Sequence, residues 1–186
     1  MSEQTPLPKI AAFAAVARSI ATTARLLMQR RIHHRQEHLG NYLRFADGTK
    51  SRVYRETVVD RAAVTDPCVL VVAFRLYGVH GRGHAFFRWE SLVNTPLFVG
   101  FPGFVSKLWL ANDAYGVYRG VYEWDGPDAA KAYARALWRV LELVSVPGSI
   151  RYHVVPSLHR DQLLADPPTL PADNETWWRP VARAAR

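Results

Sequence analysis

Apolar residues in this chain recur in two rhythms, and the change between them divides it into elements. From Ile10 onward they fall every three or four positions. Ile10, Phe13, Ala17, Ile20, Ala24 and Leu27 form one stripe, which predicts an amphipathic helix from about Pro8 to His34. Arg18, Ser19, Thr22, Thr23 and Arg25 lie on its other face. The run QRRIHHR ends it with cations, which suit the negative end of the helix dipole. The rhythm then shortens to two in NYLRFADGTKSRVYRETVV, where Asp47-Gly48 separates two strand-like runs. That is a hairpin signal, with strands expected near Tyr42–Ala46 and Arg52–Val59.

The stretch that follows alternates strands and helices. CVLVVAFRLYGV predicts a strand from about Val69 to Tyr77, and AFFRWESLVN a helix presenting Ala85, Trp89 and Leu92. GFVSKLWLAND and GVYRGVYEW predict two further strands. Asp125 then stands as a helix cap before Pro127, and Ala130, Tyr133, Ala134, Leu137, Trp138, Leu141 and Val144 mark a long amphipathic helix. SIRYHVV is the last strand. The order βαββαβ predicts an α+β, ferredoxin-like sheet with both helices on one face. The chain so divides into a basic helix (1–40), a β-hairpin extension (41–66), a ferredoxin-like barrel domain (67–160) and an extended, Pro-rich tail (161–186) carrying Trp177 and Trp178.

Alternate residues of a strand share a face. Each core strand puts its charges on one phase, so one face of the sheet is expected to carry Arg75, Tyr77, Lys107, Trp109, Arg119, Glu123, Arg151 and His153. Such a face is too polar for a dry core and too aromatic for open water. It is either a solvated surface or the wall of a ligand pocket closed by a second copy of the sheet, a homodimeric barrel. In the pocket, Trp109 and Tyr77 would pack the rings of a hydrophobic ligand, and Arg75, Arg151 or Lys107 would hold its anion. His153, the one group of this phase that titrates near neutrality, is the candidate catalytic base. His84, at the start of the first core helix, is a candidate group on the pocket rim.

Pro102-Gly103, Lys107, Trp109, Gly120, Val121, Tyr122, Trp124 and Asp125 together resemble the ydhR-like mono-oxygenase family of the dimeric α+β barrel superfamily. The resemblance covers about Val69 to Pro156. It implies a dimeric barrel and cofactor-independent oxidation of an aromatic or polyene-like substrate, or a cyclisation or isomerisation. It carries no catalytic set. The alternative is a non-catalytic ligand-binding or membrane-associated protein.

Composition narrows the partners. The chain has 186 residues, with 24 Lys and Arg against 16 Asp and Glu, a net charge of +8. That excess suits an anionic ligand, an acidic membrane or nucleic acid. Nucleic acid is disfavoured, because the positions of RGVYEW that would stack bases hold Val121 and Glu123. The helix near Lys9–Met28 is interrupted by Arg18 and Arg25, so it is expected to lie on a membrane surface at most, and a cytoplasmic site is expected. A single cysteine, Cys68, precludes an internal disulfide and has no neighbouring histidine to activate it. HGRGH has no adjacent acidic or cysteine ligand, and His33, His34 and His38 of IHHRQEH are read as a solvated basic helix end, so no metal site or cofactor is expected. The resemblance also brings haem into view, since some barrel relatives use it, with His153 as a candidate ligand that no sequence feature singles out.

Overall fold

The computed structural model describes residues 5–61, 63–78, 95–165 and 176–184. Helix α1 (Lys9–Met28) is followed by β1 (Ile32–His33) and the hairpin β2 (Tyr42–Phe45) and β3 (Lys50–Val59). The core strands are β4 (Pro67–Arg75), β5 (Phe104–Leu110), β6 (Val117–Asp125) and β7 (Arg151–Pro156), with α2 (Pro127–Leu141) between β6 and β7. Then come α3 (Arg160–Ala165) and β8 (Pro180–Ala184). The predicted helix over AFFRWESLVN and the HGRGH loop, with His80 and His84, lie outside the described residues.

The strands form one curled antiparallel half-barrel in the order β7-β4-β6-β5-β3-β2-β8, with β1 added to β3. The hairpin turns at Gly48, whose φ of 81° is the left-handed conformation that Asp-Gly turns require. Helix α2 starts at Pro127 after Gly126. Asp125, expected as its cap, instead accepts hydrogen bonds from the Thr65 and Asp66 amides at 3.0 and 2.8 Å. Those bonds hold its carboxyl below the usual range.

Each face of the sheet has its own core. On one, Cys68, Leu70, Val72, Phe104, Trp109, Tyr122 and Trp124 pack against α1 and α2. On the other, Val69, Val71, Ala73, Leu108, Leu110 and Val121 pack against Leu43, Phe45, Leu163, Leu164, Trp177 and Trp178. This corrects two expectations. The carboxy-terminal segment is not a loose tail, since β8 pairs with β2 and both tryptophans are buried. The face on which the sheet-to-sheet dimer was argued is already covered by the chain's own hairpin, α3 and carboxy-terminal strand.

Helix α1 reverses its predicted orientation. Its buried residues are Ala12, Val16, Ser19 and Thr23, whereas Ile10, Phe13, Ile20 and Leu27 of the apolar stripe are exposed. Small side chains win the docked face because the backbones come close there. The Ser19 hydroxyl donates to the Pro96 carbonyl at 2.8 Å, and a Cβ on Gly100 would run into the Ser19 carbonyl. The segment before the helix is tied to α2 by Arg135, which donates to the Thr5 carbonyl, and Arg139, which donates to the Leu7 carbonyl. Gly100→Ala is therefore expected to cost about 1–3 kcal/mol by overpacking. Thermal melting should show the loss and limited proteolysis should show α1 released first. An unchanged melt would mean that α1 contributes little to the fold.

Candidate functional site

A β-bulge decides where the chemistry sits. Phe104 pairs with Trp124 and Ser106 with Glu123, so Val105 is an extra residue in β5. Beyond it Lys107 and Trp109 face the helices, and Leu108 and Leu110 face the second core. The expectation that eight residues share one face is corrected here. Charge marks the phase of β6 that faces the carboxy-terminal segment, but in β5 the charged phase is the helix side.

On that side the sheet and α2 enclose a cavity of about 260 Å³. Phe98, Trp109, Tyr122 and Tyr133 form its aromatic floor, Phe74 and Tyr118 stack at 5.8 Å along one wall, and the exposed Leu143 and Val144 stand at its mouth. An apolar cavity of roughly 150 Å³ holds a benzene ring, so this one suits two fused rings. Gly120 keeps it open. A Cβ there would stand 2.7 Å from the Tyr122 ring, which lies back over the strand.

Lys107 is the one amine of the cavity. Its Nζ lies 3.2 Å from the Trp109 ring centroid, 4.4 Å from that of Phe98 and 4.7 Å from that of Tyr122. Among the described residues no carboxylate pairs with it. Burial first, and the nearby Arg55 charge second, lower its pKa well below that of an ordinary lysine. Two effects oppose each other here: the ring faces favour the ammonium by about 0.5–2 kcal/mol, and loss of hydration disfavours it by more. Dehydration outweighs the rings, so the ammonium is disfavoured relative to that of an exposed lysine. Arg55 itself donates to the Thr95 hydroxyl at 2.6 Å and lies over Trp109, whose indole N–H donates to Thr57 at 3.1 Å. Tyr133 donates to the Tyr122 hydroxyl at 3.2 Å, and burial raises both phenols, so both stay neutral. The arrangement combines an apolar slot, a fixed cation at its back and one amine whose charged form burial disfavours.

Arg119 borders the cavity, but its side chain is engaged elsewhere, and the remaining described site residues expected from sequence lie outside the cavity. Arg75 and Tyr77 are exposed at the end of β4 and beyond it. Arg151 lies over Trp177, and the expected base His153 is stacked flat on Trp178 at 4.0 Å, on the face opposite the cavity. The Arg119 guanidinium is an ion-pair hub, donating to Asp113 at 2.7 Å and Asp47 at 2.8 Å. Glu123 accepts from His159 at 2.6 Å. Cys68 is fully buried, and burial raises its thiol to about 12, so it is no nucleophile. His38, one of three histidines weighed for metal, is bonded to buried Glu56, which Arg160 also holds. Sequence reasoning found Lys107 and Trp109 but passed over Tyr54, Tyr118 and Tyr133. A signal was there for Tyr118: with Tyr122 and Trp124 it fills one phase of β6, an aromatic ladder interrupted only by Gly120.

No protein-family model matches the sequence, and no curated protein matches it. A solved structure described as an anthrone oxidase-like protein aligns with a TM-score of 0.36 at 14% identity. The alignment covers 60% of this chain and 59% of that one. A likeness at this level says nothing of chemistry.

Proposed function

We propose that the cavity binds a small, fused-ring aromatic compound bearing an acidic hydroxyl, and that Lys107 takes its proton. One observation carries this reading: a buried amine whose charged form is disfavoured, held among three aromatic faces at the floor of a two-ring cavity. Once an anion forms beside it, the ammonium is stabilised by that anion and by the rings that surround it. The substrate anion then gives electrons to dioxygen without a metal. In balance, a naphthol and one dioxygen yield a naphthoquinone and one water, with one oxygen atom entering the ring. The antiparallel order β7-β4-β6-β5 supports reading residues 69–156 as a ferredoxin-like sheet; the ydhR-like part of the reading rests on the sequence resemblance. The sheet-to-sheet dimer is no part of the proposal, because Trp177 and Trp178 occupy that face.

Titration with 1-naphthol near pH 7 tests it. Bound naphthol should show the red-shifted absorption of the naphtholate although the free compound is protonated at that pH. Trp109→Phe should remove most of the accompanying fluorescence quenching. Binding without the naphtholate band would leave Lys107 without a role as base. An oxygen electrode separates the remaining alternative, since a band without oxygen uptake describes a binding protein rather than an oxidase.

A further inference from the structure

Helix α1 carries its large apolar side chains outward. Ile10 is 87% exposed, Phe13 50%, Ile20 47%, Leu27 55% and Met28 79%. At 100° per residue they fall, with Ala14, Ala17, Ala21 and Ala24, on one arc of roughly 140° centred about 120° around the helix from the docked stripe. Arg18 and Arg25 run along one edge of this arc and are themselves exposed. Between Gln4 and Gln36 the chain has six cations (Lys9, Arg18, Arg25, Arg30, Arg31, Arg35) and no carboxylate. The nearest facing acid, Asp60, is taken by His33, and its carbonyl accepts from Arg31. Among the described residues Lys9, Arg18, Arg25 and Arg30 form no ion pair.

We infer that this face docks on an anionic phospholipid surface, with Phe13, Ile20 and Leu27 in the acyl boundary and the arginines at the phosphates. The charge selects this occupant: a second copy would bring the same six cations against themselves, whereas an acidic bilayer supplies the missing counter-charge. By length and composition Lys9–Met28 could also cross a membrane, contrary to the sequence expectation. In this fold it does not, because Ala12, Val16, Ser19 and Thr23 are sealed against the domain and Ser19 is bonded to Pro96. The helix lies on the bilayer with the domain on its other side. This inference is independent of what the cavity binds.

Co-sedimentation of the full chain with vesicles tests it. Phosphatidylcholine vesicles with one-third phosphatidylglycerol should bind the protein, and phosphatidylcholine alone should bind it far less. Arg18→Gln with Arg25→Gln should weaken binding about 30-fold, at roughly tenfold per 1.4 kcal/mol and about 1 kcal/mol per surface cation. Phe13→Ser with Ile20→Ser should weaken it at least tenfold. All four sites are exposed, so unchanged melts are expected. Salt near 0.5 M should release the protein, since it screens charges within a few ångströms. Three outcomes overturn the inference. One is no binding to acidic vesicles. Another is equal binding to both lipids. The third is a dimer, seen by light scattering, that the serine variant dissociates.

Discussion

Lys107→Met is expected to raise the thermal midpoint and to abolish the naphtholate band. The two effects share one cause. The wild-type fold takes an amine out of water without giving it an anion, and methionine has nearly the same length and fits the same aromatic slot. Removing a buried, unpaired polar group is worth about 1–3 kcal/mol. For a domain of this size each kcal/mol moves the midpoint by about 2–4 °C. The pH dependence has a definite sign. The folded pKa of Lys107 lies below the unfolded one, so between the two the unfolded chain binds more protons and stability rises with pH. The advantage of the Lys107→Met variant over the wild type should therefore be full below the lowered folded pKa. It should shrink as pH rises and vanish near the ordinary lysine value of about 10.4. A wild type and variant with parallel stability–pH curves would show that Lys107 is charged in the fold, and the proposed base would be lost.

Arg119→Met is expected to have the opposite and larger effect, a loss of about 3–5 kcal/mol, the usual cost of orphaning a buried charge. Arg119 ties three distant stretches together: Asp47 in the hairpin turn, Asp113 in the β5–β6 loop and the Trp177 carbonyl of the carboxy-terminal segment. Asp113 is buried and also accepts from the Tyr115 and Val117 amides, so it cannot move to water when the guanidinium goes. A midpoint lower by roughly 10 °C, with β8 exchanging its amides first, is the expected result. Replacing Asp113 in the same background should cost little more, because the pair acts as one unit. If Arg119→Met melts like the wild type while ligand binding fails, Arg119 belongs to the site and not to the frame.

Arg119 and Lys107 also show where local sequence stops being informative. Alternation correctly grouped Lys107 with Trp109, and Arg119 with Glu123, because the two-residue period of a strand is local geometry. Which group faces the helices is a tertiary matter. The extra Val105 in β5 and a second bulge between Val53 and Arg55 in β3 set the phases of neighbouring strands independently. A bulge leaves no trace in hydropathy, so the charged phases were assigned to a common face that does not exist.

Local pattern by itself determined the elements that rest on short-range physics. The Asp47-Gly48 hairpin, the α2 start at Pro127, the period-two strands and the helical period of α1 all follow from backbone preference and side-chain spacing. Three things were decided only by the tertiary structure. The direction of α1 reversed, because close approach at Gly100 admits serine, threonine and alanine but excludes isoleucine and phenylalanine. Trp177 and Trp178 became core, because the face they cover was left apolar by strands distant from them in the chain. Lys107 became a buried amine in an aromatic cavity, because its environment comes from β3, β6, α2 and the turn at Thr95–Leu97 rather than from its own strand. Spacing along a chain records which residues travel together; what they meet depends on free energies summed over segments that are far apart in sequence.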